Sequence, residues 1–428
     1  MPSRTVHRPQ WLGLALLLAH AACDGGDDPA PSDATTDATD ASALDTTVAL
    51  DMTVALDTTA ALDTTGPDAS DAVTPAHGFG LNDLTVLLPM PNASTPSLLA
   101  PDTLVPSAVW QRLVADPGDV LADFATLHVV AVRFDLCDRT ATTPCPPGAD
   151  GRLRLVAQPM FGGTPDPQFA DTAVHAFYPI PAAELPGVIA ELRRLAVLQD
   201  APTSPLQVNE ALSDPTSPYA LGLTALVARF AKAERLVRLT LFSQISISAA
   251  FRWVFRGEER PTPADAFVAM VIPDLGETSE EVLLVGDQSY EVTPAVDLPK
   301  GFALTLSASA FAAASLDDQR AALGVLEAID DPRVHAPDTV QCLGCHVASI
   351  LLPARGSAAH LDLAALDRFR AADESLDLTP LAFPGAGDRT LRALGYSGFL
   401  PIISARVVHE TALVLAEVEA RFPPDDAP

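Results

Sequence analysis

The sequence predicts an α+β middle domain, mainly antiparallel sheet with helices, followed by a small all-α domain. Three observations carry that expectation. Segments of alternating apolar and polar residues recur through the middle of the chain, at the two-residue period of half-buried strands. Short turns rather than helical crossovers join the later segments, which favours antiparallel pairing. After residue 314 the pattern changes to the longer period of amphipathic helices.

Taken in order, residues 1–22 read as a signal peptide, with Arg4 and Arg8 before an apolar run that ends in small residues. The run is too short to span a bilayer. Its cleavage reads two ways. Ala19-His20-Ala21 fits an ordinary A-x-A site, whereas Ala21-Ala22-Cys23 resembles the end of a bacterial lipobox, which would make Cys23 a lipidated N-terminus. His20 departs from the aliphatic residue which that pattern prefers. Residues 23–77 follow as an Asp/Thr/Ala-rich tether of the kind that holds a lipoprotein off a membrane.

Between Asp24 and His77 the tether has 12 Asp and no Lys, Arg or aromatic residue. Such a segment buries too little surface to offset its ordering entropy, so it is expected to be a disordered linker. A six-residue repeat begins at Leu44, Leu50 and Leu56 and is cut short after Leu62. Its aspartates lack the glycine turn and clustered carboxylates of a calcium loop, which leaves a self-repelling spacer. The chain's formal charge is −29, and without a basic face nucleic acid is excluded as a partner. After the tether about 350 residues remain, enough for real cores.

The domain expected at 78–314 opens its sheet with strands at 126–134, 152–160 and 174–180. In the first, alternation places Leu127, Val129 and Ala131 on one face and His128, Val130, Val132 and Phe134 on the other. Cys137 and Cys145 stand eight apart between the first two strands and are expected to form a disulfide in an oxidising compartment. Helices follow at 183–198 and 218–235, the second with Ser217 as N-cap and Pro218 in its first turn. Strands resume at 237–247, 251–256, 266–272, 282–285 and 289–293. This region has no nucleophile elbow, phosphate-cradling loop or H-E-x-x-H pair. His128, His175, Trp253 and Tyr290 read as core residues, and the acidic runs at 258–259 and 277–281 as solvated turns.

The domain expected at 315–428 begins with a capping box at Ser315 and a helix to residue 329, ended by Asp331-Pro332. Further helices are expected at 362–372 and 405–422, the last with Val408, Ala412, Leu415, Val418 and Phe422 on one face. Between them stands Gln341-Cys342-Leu343-Gly344-Cys345-His346. A Cys-x-x-Cys-His run brings two thiols to one edge of a bound group, and its imidazole is the first side chain able to swing beneath it. A structural disulfide, half a zinc site and a thiol-redox pair are the competing readings. Zinc needs two more ligands, and no Cys follows Cys345. A thioredoxin-like pair would sit in a βαβ unit, which the pattern lacks.

The motif resembles the covalent haem attachment site of c-type cytochromes. The resemblance covers the last quarter of the chain and implies a cytochrome c-like domain with covalent haem c. Cys342 and Cys345 would bond the haem vinyl groups, and His346 would be the proximal iron ligand. Many small cytochromes c also supply a Met after the motif. Here Met1, Met52, Met90, Met160 and Met270 all precede it, so the distal candidates are His360, His335 and His409, or an open position.

In outline the chain is similar to exported bacterial lipoproteins with a tether, a mixed region and a late CxxCH. The expectation is an exported, lipid-anchored monohaem c-type cytochrome, periplasmic or at the outer membrane or cell surface. It would touch the membrane through its N-terminal lipid, pass electrons to redox partner proteins, and be a carrier rather than a catalyst. The alternative is a surface or periplasmic binding lipoprotein whose CxxC is structural or whose haem is a sensor.

Overall fold

The computed structural model describes residues 79–91, 104–114, 124–137, 145–161, 168–199, 206–247, 250–273, 275–286, 289–294, 301–335, 340–358 and 394–424. The signal peptide, Cys23, the tether, His360 and the helix expected at 362–372 lie outside the described residues.

The described chain opens with a helical turn, α1 (Leu81–Leu84), which runs directly into β1 (Thr85–Leu87), followed by α2 (Ser107–Leu113). Strands β2 (Leu127–Asp135), β3 (Gly151–Phe161), β4 (Gln168–Phe169) and β5 (Ala173–Ile180) come next, then helices α3 (Leu185–Ala196) and α4 (Pro218–Phe230). Strands β6 (Arg238–Ile247), β7 (Ala250–Glu259), β8 (Val268–Ala269), β9 (Glu280–Val285) and β10 (Tyr290–Thr293) complete the middle region. Among the described residues they form one sheet in the order β1-β2-β3-β5-β6-β7-β9-β10, with β4 beside β3 and β8 beside β7. Every pairing is antiparallel, and the region is α+β.

Local chemistry explains the helix ends. The Ser217 hydroxyl accepts from the Ala220 N–H at 3.1 Å, and Pro218 occupies the first helical position of α4. Residues 233–235, expected to extend that helix, form a separate 3-10 turn after it ends at Phe230. Of the strand expected at 266–272, only Val268–Ala269 pairs.

The sheet carries a helical layer on each face. Leu153, Leu155, Val174, Ala176, Leu239 and Leu241 point to one side and pack with Val188, Leu192, Leu223 and Val227 of α3 and α4. The opposite parity, with Phe242, Trp253, Phe255, Leu283 and Val285, packs with later helices.

One alternation fails in β2. A bulge between Val129 and Ala131 inserts a residue, so Val132 and Phe134 join Leu127 and Val129 on the α3 side. Val130 and Ala131 line the other side. The simple period of two places Val132 and Phe134 on the wrong face because it has no means of seeing the bulge.

The second half consists of α5 (Phe302–Thr305), α6 (Ala308–Ala313), α7 (Leu316–Asp330), α8 (Cys342–Ala358), β11 (Leu394–Ser397), β12 (Leu400–Ile403) and α9 (Ala405–Arg421). Ser315 caps α7, its hydroxyl accepting from the Asp318 N–H at 3.2 Å. Where the sequence predicts only helices after residue 314, β11 and β12 form a hairpin.

Buried Gln158 of β3 fixes that hairpin. Its Nε2 donates to the Tyr396 carbonyl at 2.9 Å, and its Oε1 accepts from the Tyr396 N–H at 2.7 Å. Gly395 beside it has φ +137°, and a Cβ there would collide with Gln158 Oε1. Only glycine meets both demands.

All described residues belong to one compact unit. The last helix touches two cores: Val407 and Val408 pack with the hairpin, and Val414 and Val418 with the α3 and α4 layer.

The acidic runs depart in part from the sequence reading, although Glu277 and Glu280 are exposed as it expects. Glu258 is buried in β7 and paired with Arg112 at 2.9 Å, and Glu259 pairs with Arg238 at 3.1 Å. Glu281 is wholly buried in β9. Strand alternation explains this, because Glu281 shares its face with Leu283 and Val285.

Candidate haem-attachment site

Helix α8 starts at Cys342, and spacings of three and four place Cys342, Cys345, His346 and Ser349 on one stripe. The neighbouring stripe of Leu343, Val347, Ile350 and Leu351 is buried against Phe242, Trp253, Phe255 and Leu283. This apolar contact seats the helix on the sheet and puts His346 at the border. Its ring lies 5.2 Å from Phe242 at 27° and 5.1 Å from Phe255, centroid to centroid. Ser349 donates to Asp330 at 2.6 Å, tying α8 to the end of α7.

Cys342 and Cys345 are half-buried and not disulfide-bonded, whereas Cys137 and Cys145 are bonded to each other with their Cα atoms 5.6 Å apart. Burial pushes the Cys342 thiol up to about 12, and the charge of Glu281 adds to the effect. Burial likewise pushes Cys345 up to about 11. Both are neutral thiols near neutral pH. The thiolate is the form that binds zinc and attacks disulfides, so these environments disfavour both chemistries.

Glu281 reaches the same turn from β9, its Oε2 accepting the Leu343 N–H at 3.0 Å. It therefore caps, from outside the helix, a buried first-turn donor that has no acceptor within the helix. Its other oxygen, Oε1, is buried and has no partner. Burial pushes this carboxyl up to about 7, against the opposing effect of the Leu343 bond.

On the other side, Cys345 feels the charges of Arg406, Glu410 and Asp330. Glu410 is the centre of a buried ion cluster, bonded at 2.8 Å to Arg133 of β2 and at 2.8 Å to Arg406. Asp135 joins it, pairing with Arg133 at 2.8 Å and with Arg154 at 3.2 Å. Burial alone would raise the Glu410 carboxyl, but Arg406, Arg133 and Arg154 outweigh it and hold the group down at about 2.

Among the histidines, His335 follows α7, and its carbonyl accepts from Arg406 Nη2 at 2.6 Å. Its Nδ1 is buried and without a partner. His409 is buried in α9, three residues after Arg406. Arg406 thus joins the neighbourhoods of His335, His409 and Cys345. His128 lies near Phe169 and His175 near Phe177, each half-buried in the sheet.

Two neutral thiols one turn apart, an adjacent imidazole and an aromatic wall fit a covalently held haem. Among the described residues, no three His, Cys, Asp or Glu side chains gather closely enough to hold a bare metal ion. No described helix is long and apolar enough to cross a membrane. The motif was legible in the sequence, whereas Glu281, Arg406 and Glu410 were not. The alternation of Glu281 with Leu283 and Val285 could have revealed the first, and nothing local marks the other two. No family model, curated protein or solved structure matches the chain.

Proposed function

We propose that this chain is an exported, lipid-anchored monohaem c-type cytochrome that carries electrons. The observation supporting it is the stripe of Cys342, Cys345 and His346 at the start of α8, with both thiols free of any disulfide. In this reading Cys342 and Cys345 hold haem c as thioethers and His346 ligates its iron from the proximal side. When bound, the haem supplies one-electron chemistry. The chain's residues exclude water through Phe242, Phe255 and Trp253 and fix the helix through Glu281.

Residues 315–428 would be the cytochrome c-like part, docked against the sheet. Cys23 would carry the lipid, residues 23–77 would be the tether, and the site of action would be the periplasm or an outer-membrane surface. An acidic chain would favour redox partners with a basic face.

The test is a pyridine-haemochrome spectrum of protein made with cytochrome c maturation machinery. A c-type spectrum that survives acid-acetone extraction, and is lost in Cys342→Ala/Cys345→Ala, is expected. Absence of covalent haem from the wild type would sink the proposal and favour a binding lipoprotein. Cys23→Ser should move the protein from the membrane to the soluble exported fraction. For the distal ligand, single substitution of His335, His360 or His409 by Ala should convert one variant from low-spin to high-spin. A high-spin wild type would instead indicate an open position and a ligand-binding role.

A further inference from the structure

A carboxyl placed where a strand's pattern calls for an apolar side chain needs a reason. Glu281 stands opposite Phe255 in the β7–β9 pairing, and Phe255 is the ring 5.1 Å from His346. It has no exposed surface, and one of its oxygens is bonded while the other is orphaned. As a cap it needs only Oε2, which a glutamine would supply equally well. The orphaned oxygen is the feature that capping leaves unexplained.

The surrounding charges do not neutralise it. From α8 it is faced by Cys342 and Cys345, both held as neutral thiols, and by His346 beyond Phe255. On β7, Arg256 is held by Glu280 at 3.6 Å, and on β6, Arg238 is held by Glu259 at 3.1 Å. On β10, Glu291 is exposed. Arg406 and Asp330 act on Cys345, with Arg406 held by Glu410. A new unit charge in this turn would thus be felt by Glu281 with little compensation. At an effective dielectric near 20, a charge roughly 10 Å away changes a carboxyl's proton affinity on the order of tenfold.

We propose that Glu281 is a proton-exchanging carboxyl coupled to the redox state of the site on α8. It takes up one proton when that site gains one electron from a one-electron donor, and releases the proton when the electron leaves. The step conserves charge locally: one electron in is matched by one proton onto a Glu281 oxygen. This rests on the haem reading above. The carboxyl's affinity, raised by burial to near neutrality, puts the exchange in a physiological window.

The experiment is potentiometric titration of the haem-loaded full chain with soluble mediators between about pH 5 and 9, spanning the ordinary and raised carboxyl ranges. Wild type should show a midpoint potential that falls as pH rises through about 7. A tenfold change in affinity makes the total fall about 59 mV, with a steepest slope of about 30 mV per tenfold change in proton activity. Glu281→Gln should keep the haem spectrum and lose this slope. A flat wild-type profile, or a slope that persists in Glu281→Gln, overturns the inference while leaving the cytochrome reading intact. Should the Gln variant fail to fold, redox-difference infrared spectroscopy of wild type labelled at glutamate carboxyls decides. A protonated-carboxyl band gained on reduction supports the coupling, and its absence overturns it. A wild type without covalent haem overturns both readings together.

Discussion

Glu410 and Glu281 are both buried carboxyls near the same helix, and they respond in opposite directions because only Glu410 has cations bonded to it. Glu410 is held at about 2 against an ordinary 4.5. Its folded value is depressed, so its contribution is present above the ordinary range and is lost as pH falls through 2. That contribution is on the order of 3 kcal/mol. Glu410→Gln should therefore lower stability at neutral pH by about 3–5 kcal/mol, since it leaves Arg406 buried without its bonded carboxylate and Arg133 with Asp135 alone. Denaturant titration at pH 7 would show this, and a loss below about 1 kcal/mol would mean that the cluster is solvated. Glu281 has the opposite sign. Its folded value, up to about 7 from 4.5, makes stability greatest below the ordinary range and diminishes it as pH rises through 7. Haem-free Glu281→Gln should lose that decline, of order 3 kcal/mol, between roughly pH 4 and 8. Equal pH profiles for the two proteins would show Glu281 to be charged at little cost.

At the scale of elements, local signals carried different amounts of information. The strands that became β2, β3, β5, β6, β7 and β9 were readable because each alternates over enough residues to bury one face, and four-residue β10 because a short turn sets it beside β9. The caps at Ser217 and Ser315 were readable because a hydroxyl before an acidic or proline-led turn has a specific use. What could not be read depends on distant partners. β1, β4 and the β11–β12 hairpin are two to four residues each, too short to show a period. The hairpin exists because Gln158, 238 positions before Tyr396, supplies both bonds to it. Gly395→Ala tests this directly. A methyl there must displace the Gln158 side chain and adopt φ +137°, so a loss of about 2–4 kcal/mol is expected. Gly148→Ala makes the control: its φ is also positive, at +78°, but nothing lies near its Cβ, so backbone strain alone should cost about 1–2 kcal/mol. Equal losses at the two positions would show that the Gln158 contact contributes nothing.

At the scale of the whole molecule, helices pack on both faces of the sheet, and this determines how the haem-motif segment relates to the rest. Leu343, Val347, Ile350 and Leu351 of α8 have no core of their own. They share one with Trp253, Phe255 and Leu283 of the sheet and with Leu323 and Leu326 of α7. α9 ties the same segment to the opposite layer through Val414 and Val418. Burial of a large apolar side chain contributes about 1.5–3 kcal/mol, so removing these four of α8 would cost about 6–12 kcal/mol, comparable with a typical domain's whole net stability of about 5–15 kcal/mol. The described residues should therefore unfold together. Trp253 fluorescence reports the sheet face beneath α8, and far-ultraviolet circular dichroism reports the helices. Their thermal transitions should coincide, and Leu343→Ala should shift both by the same amount, at a cost of about 2–5 kcal/mol. Residues 315–428 expressed alone should lack a cooperative transition, since the wall their helix packs on stays behind. Two separated transitions in the full chain, or a protease-resistant 315–428 fragment, would show instead that the motif's helix carries its own core and only rests on the sheet.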